Sequence, residues 1–155
     1  GGPDNAVRLV PGSVEMTGAE VDFDPADPAS FESWVTENIR IADTDAGGHI
    51  NNTALAAYVE SGRVARLRAA MWDRNPGERW VIAHLDIDFR AEAKPPGEVR
   101  IGTRLMTMGT KSVTLAAGLF KDNICIATAR SVMVFLNGTE TAIIPDDVRD
   151  ALSRD

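Results

Sequence analysis

The order of patterns along this 155-residue chain predicts an α+β domain, one long helix set against an antiparallel sheet. Two observations carry that expectation. A strand-like run precedes a long stretch of helical periodicity and four strand-like runs follow it. The last two runs are separated by Lys121-Asp122-Asn123, a short polar turn suited to a hairpin and hence to antiparallel pairing. With 44% hydrophobic and 25% charged residues, a chain of this length fits one domain whose core needs no disulfide.

Residues 1–30, punctuated by proline, glycine and aspartate, read as an extended, partly ordered leader, and residues 31–155 as the folded domain. Phe31, Val35, Ile39 and Ile41 alternate as a half-buried strand requires. Asn52 or Thr53 is expected to cap a helix running to about Asp73, with Leu55, Tyr58, Val59, Gly62, Ala65, Arg66 and Ala69 near the helical period. Ala54, Ala56, Ala57, Ser61, Gly62, Ala65, Ala69 and Ala70 give this helix a small packing face, so the sheet is expected to approach it closely. Asn75-Pro76-Gly77 stops it.

Strands are then expected over 80–90, 98–108, 113–120 and 124–136. In the first, Val81, Ala83, Leu85, Ile87 and Phe89 share one face and His84, Asp86 and Asp88 the other. In the second, Val99, Ile101, Thr103 and Leu105 oppose a wetter face of Arg100, Gly102, Arg104 and Met106. The fourth is apolar on both faces, as a central strand would be. Residues 144–149 read as a short terminal helix with proline and acids in its first turn.

Composition narrows the function classes. A net charge of -7 disfavours nucleic acid, whose binding rests on cationic neutralisation of phosphates. Arg90 with Lys94, or Arg100 with Arg104, could still hold a small phosphorylated ligand, with surface solvation as the first reading of each. No run is long and apolar enough for a membrane helix. One cysteine, Cys125, and two histidines, His49 and His84, predict neither a structural metal nor a redox role. No apolar signal core follows a basic start in the first thirty residues, and a cytoplasmic protein is expected.

Chemistry concentrates in Asp43-Thr44-Asp45-Ala46-Gly47-Gly48-His49-Ile50-Asn51-Asn52, two carboxylates and a flexible turn directly before the long helix. Unpaired amides at a helix N-terminus stabilise an oxygen acquiring negative charge, and an adjacent carboxylate can activate water. By composition alone the same run is also a turn with a helix cap. The run resembles the D-x-D-x-x-G-H-V-N-N pattern of hotdog-fold thioesterases of the 4-hydroxybenzoyl-CoA thioesterase type. The likeness extends over residues 33–152 through Arg40, Tyr58, Glu60, Arg63, Ile87-Asp88-Phe89 and Ile144-Pro145-Asp146.

That resemblance implies a single hotdog domain, a long central helix wrapped by an antiparallel sheet of five to six strands. It implies an acyl-CoA thioesterase with Asp45 as nucleophile or general base on water, and backbone amides at Asn52 and its neighbours as the oxyanion site. Gly47 and Gly48 would permit close substrate approach. Asp43 is the competing acid, with a structural role in the turn as its first reading. His49 joins the catalytic set chiefly as a hydrogen-bonding group, and Asn51 either orients His49 or substrate or caps the helix. Glu60 is a second carboxylate to test, set against a local ion pair with Arg63. Tyr58 is placed at the substrate; the family often has an aromatic residue where this chain has Leu55, which leaves the acyl preference open.

Coenzyme A would enter as part of the substrate, no bound cofactor is required, and a homodimer or homotetramer is implied. Two rivals stand beside this reading: an acyl-carrier-protein thioesterase, and a non-catalytic hotdog module that binds acyl-CoA.

Overall fold

A helix can begin only where a residue with extended backbone turns its side chain back onto the first free amides. Asn51 does this in the computed structural model, which describes residues 22–154. Its φ of -68° and ψ of 146° are extended, and its Oδ1 accepts from the Thr53 amide. Helix α1 therefore spans Asn52–Ala70, capped one residue earlier than expected. It ends three residues short of Asp73, which adopts a left-handed φ of 57°. Replacing Asn51 with Ala is expected to cost about 1 kcal/mol, read as a lower midpoint in urea unfolding.

Six strands surround this helix: β1 (Ser33–Asn38), β2 (Glu78–Phe89), β3 (Glu98–Met108), β4 (Ser112–Lys121), β5 (Ile124–Asn137) and the short β6 (Glu140–Thr141). Their order is β1-β3-β4-β5-β2, with β6 on β5 and every pairing antiparallel. The terminal helix α2 covers Asp146–Leu152, with Pro145 at its N-cap, so it starts later and runs further than expected. This is the expected α+β hotdog arrangement, with β5 inside the sheet between β4 and β2.

The core divides along α1. Ile50, Leu55, Tyr58 and Val59 pack with Val99, Ile101, Leu119 and Ile126 around its first half. Leu67 and Ala70 pack with Leu115, Phe135, Val148 and Leu152 around its second half. Arg63 lies between them, 5% exposed, with Nη1 donating to Ser131 Oγ at 3.2 Å. Arg66 ties the helix to α2 by donating to the Leu152 carbonyl at 2.9 Å.

Three face assignments change. Of the small residues on α1, only Ala54, Gly62 and Ala70 are buried, and Ala57, Ala65 and Ala69 are exposed. The packing face is instead built on Leu55, Tyr58, Val59 and Leu67, with Gly62 at the point of closest approach, because small residues occur all round the helix. In β2 a bulge between Ile82 and His84 inserts one residue and reverses the alternation. Trp80, not Val81, consequently faces the core, its ring centroid 5.1 Å from that of Phe135. The expected wetter face of β3 is covered at its β1 end: Phe31 packs over Gly102, Arg104 lies over the Phe23 ring at 4.3 Å, and Trp34 stacks beneath Arg100 at 4.1 Å.

Residues 1–21 of the expected leader lie outside the described residues. Its last part forms a 3-10 turn, Pro28–Ser30, capped by Asp27. No helix of the described residues is long and apolar enough to cross a membrane.

Candidate active site

The turn before α1 closes on itself. Thr44 and Ile50 form an antiparallel bridge, the Asp45 amide donates to the His49 carbonyl at 2.8 Å, and the Gly48 amide returns to the Asp45 carbonyl at 3.0 Å. Asp45 Oδ1 accepts from the amides of Gly47 at 2.9 Å and His49 at 3.0 Å. One carboxylate oxygen is thus fixed by the backbone, which sets the direction of the other. Gly48 has φ 80°, the left-handed conformation that favours glycine. At Gly47 an added Cβ would sit 3.2 Å from His49 Nδ1 and 3.4 Å from Asp45 Oδ1, so a side chain there would press on the His49 ring and only touch the held carboxylate.

Two further bonds dock the turn. The Ile50 amide donates to the Ala93 carbonyl and the Asn51 amide to the Asp43 carbonyl, both at 2.8 Å. Between the turn, the first turn of α1 and the end of β2 lies an open cavity of about 340 Å³, lined by Asp45, His49, Asn52, Leu55, Phe89 and Arg90 among others. Ile50, Ala93 and Ile126 add apolar wall. Its size suits a small organic ligand. Asp45 meets the helix N-terminus here: the Asn51 cap consumes the Thr53 amide, and the amides beside it are the donors such a terminus offers an incoming oxygen.

Asp43 and Tyr58 are placed away from this cavity's wall. Asp43 Oδ2 accepts from the Arg40 amide at 2.9 Å and the Tyr58 hydroxyl at 2.7 Å. The Arg40 amide and then the Tyr58 hydroxyl hold the Asp43 carboxyl below the usual carboxylate range. Tyr58 is 5% exposed, and burial, followed by its bond to Asp43, pushes its phenol up. The pair ties the turn to the helix.

A depressed carboxyl stabilises the fold above its unfolded pKa near 4, and that contribution is lost as pH falls through the folded pKa. The raised phenol contributes below its unfolded pKa near 10 and loses that contribution as pH rises through the folded value. Tyr58→Phe is expected to cost about 1–2 kcal/mol near neutral pH. Its deficit should shrink below about pH 4, checked by urea unfolding across the acid range.

His49 Nε2 lies 3.1 Å from Glu92 Oε2, an exposed partner from the loop after β2. Glu60 is further down α1, 65% exposed and 3.6 Å from Arg63, and is not part of the cavity wall. Of the residues singled out in the sequence, Asp45, His49 and Asn52 share the cavity; Gly47 and Gly48 shape the turn beside it, and Asn51 caps the helix. Glu92 and Ile126 had no motif to reveal them as wall residues, and Phe89 was part of the family likeness without a role attached; they arrive by the docking of Ile50 on Ala93 and of Arg90 on Ile126. Among the described residues no group of three or more His, Cys, Asp or Glu is placed to hold a metal ion.

A long helix held in a curled antiparallel sheet, with an acid-bearing turn at the helix N-terminus, defines a hotdog-type thioesterase scaffold. The sequence model of the thioesterase-like superfamily matches residues 39–152, and the chain belongs to that superfamily.

An uncharacterised protein of Bacillus subtilis, YsmA, is 28% identical over 93 residues, 55% of this chain, and the chain spans 63% of that relative's length. Among solved structures, a predicted thioesterase from Bacillus stearothermophilus is 28% identical with a TM-score of 0.68, covering 77% of this chain and 92% of that one. A thioesterase superfamily member from Jannaschia sp. CCS1 is 27% identical with a TM-score of 0.74, covering 82% and 84%. A thioesterase from Thermus thermophilus, solved with coenzyme A and zinc, shares the fold at 24% identity and a TM-score of 0.74, covering 79% and 98%.

Proposed function

We propose that this chain hydrolyses thioesters, and that its substrate is an acyl- or aroyl-CoA cleaved to the free acid and coenzyme A. The observation that carries this reading is the Asp45 carboxylate, held through Oδ1 by two turn amides at the rim of a cavity it shares with the start of α1. Attack on the thioester carbonyl, by Asp45 itself or by a water that gives its proton to Asp45, builds negative charge on the carbonyl oxygen. The amides at Asn52 and its neighbours stabilise that charge. Collapse breaks the C–S bond and releases the thiolate, which takes up a proton.

In the direct route, water then cleaves the mixed anhydride and regenerates the carboxylate. Superfamily membership and the coenzyme A bound in the Thermus thioesterase support the choice of substrate. An acyl group carried on a carrier protein is the alternative, disfavoured by the acidic chain.

Pairing of two copies along β2 belongs to the same proposal. Among the described residues the outer edge of β2 has no strand partner, and the strand ends on Phe89, 53% exposed on the cavity wall. A second copy there would screen the exposed Asp45 and a bound thioester from bulk water. That same exposure favours a second reading, a module that binds acyl-CoA without turnover.

Thiol release from short-chain, long-chain and aromatic acyl-CoAs, with the same acyl groups on a carrier protein, tests these readings. Release from the CoA esters supports the first, preference for the carrier protein the alternative, and binding without release the module.

A further inference from the structure

We infer that Arg90 anchors an anionic group of the substrate, a phosphate of the carrier or a carboxylate ending the acyl chain, and so selects which thioesters this site takes. The inference rests on the thioesterase reading. Arg90 follows the last residue of β2, and its amide donates to the Ile126 carbonyl at 2.9 Å while that of Ala91 donates to the same oxygen at 3.2 Å. Its backbone is therefore fixed at the cavity rim.

Among the described residues it is the one Arg or Lys lining the cavity. Its guanidinium has no carboxylate partner among them, whereas Arg63, Arg74, Lys121 and Arg130 each have one. Glu92, the other charged wall residue besides Asp45, is turned to His49 instead.

Electrostatics give this arrangement its consequence. A polyanionic thioester approaching a chain of net charge -7 meets repulsion from Asp45 and Glu92 at the cavity. A guanidinium carried at this rim, with no carboxylate of the described residues in ion-pair contact and the Cys125 thiol among its neighbours, offsets that repulsion locally and offers a planar fork to phosphate or carboxylate oxygens. Because Arg90 is exposed, its contribution falls with salt.

The test compares the native chain, Arg90→Ala and Arg90→Lys on three substrates: an acyl-CoA with a neutral acyl group, the same acyl group on N-acetylcysteamine, and an acyl group ending in a carboxylate on N-acetylcysteamine. Arg68→Ala, an exposed change on α1 with the same loss of charge, is the control. Arg90→Ala is expected to lower kcat/KM about tenfold on a substrate carrying the recognised anion, with little change on the neutral N-acetylcysteamine ester.

Loss confined to the CoA ester identifies a carrier phosphate, and loss confined to the carboxylate-ended ester identifies the acyl terminus. Equal effects on all three substrates, or effects matched by Arg68→Ala, overturn the role of Arg90. Absence of turnover by the native chain on all three overturns the thioesterase reading beneath it, a failure visible before any variant is compared.

Discussion

Asp45→Asn is expected to lower turnover by roughly 10³-fold while leaving the fold intact. The separation follows from the turn. Asparagine keeps an Oδ1 that accepts from the Gly47 and His49 amides, so the bonds at 2.9 and 3.0 Å that shape the turn survive. What disappears is the negative charge, and with it both the nucleophile and the base. The urea midpoint should therefore match that of the native chain, with thiol release as the readout that moves. Asp43→Asn should do the reverse. Asparagine keeps one accepting oxygen here as well, but the fold holds the Asp43 carboxyl below the usual carboxylate range through the Arg40 amide and the Tyr58 hydroxyl, so loss of the charge weakens the tie between turn and helix, with a smaller effect on chemistry.

Gly62→Val is expected to destabilise the protein by about 3 kcal/mol, near the upper end for overpacking. A Cβ at Gly62 would lie 2.5 Å from Thr103 Oγ1 and 2.7 Å from Ile101 Cγ2, and Ile101 is fully buried on β3. Neither neighbour is a flexible side-chain end, so α1 must lift from the sheet. Because α1 also presents its first turn to the cavity, activity should fall with stability. Ala65→Val, exposed on the same helix, should cost less than about 1 kcal/mol and provides the control for helix propensity. Thermal unfolding of the two variants beside the native chain distinguishes a specific close approach from a general effect of branched residues.

The fold was legible where periodicity is a direct image of burial. β3 shows it well: Val99, Ile101 and Thr103 alternate in sequence and are each almost fully buried. Legibility failed where one residue breaks a period. The extra residue at the β2 bulge exchanged the faces of Trp80 and Val81, and nothing in the local composition announces it. Small size alone did not mark the packing face of α1 either, since alanine is tolerated in water as well as in a core: Ala54 and Ala70 are buried against the sheet, while Ala57, Ala65 and Ala69 on the same helix are exposed.

The candidate site divides in the same way. The Asp45 turn and its helix are contiguous in sequence, so their juxtaposition could be read directly, whereas Phe89, Arg90 and Glu92 reach the cavity through long-range docking of backbone amides. Arg90 could be noticed beside Lys94 as a cation in an acidic chain and Phe89 as part of the family likeness, but neither sequence feature placed them on the wall of the Asp45 cavity.

The most direct measurement is thiol release from a panel of acyl-CoAs by the native chain, Asp45→Asn and Asp43→Asn at matched concentrations of folded protein. Hydrolysis at the Asp45 turn predicts release by the native chain, near-complete loss in Asp45→Asn, and substantial activity retained in Asp43→Asn. Turnover that survives in Asp45→Asn, or a native chain that binds acyl-CoA and releases no thiol, would contradict it.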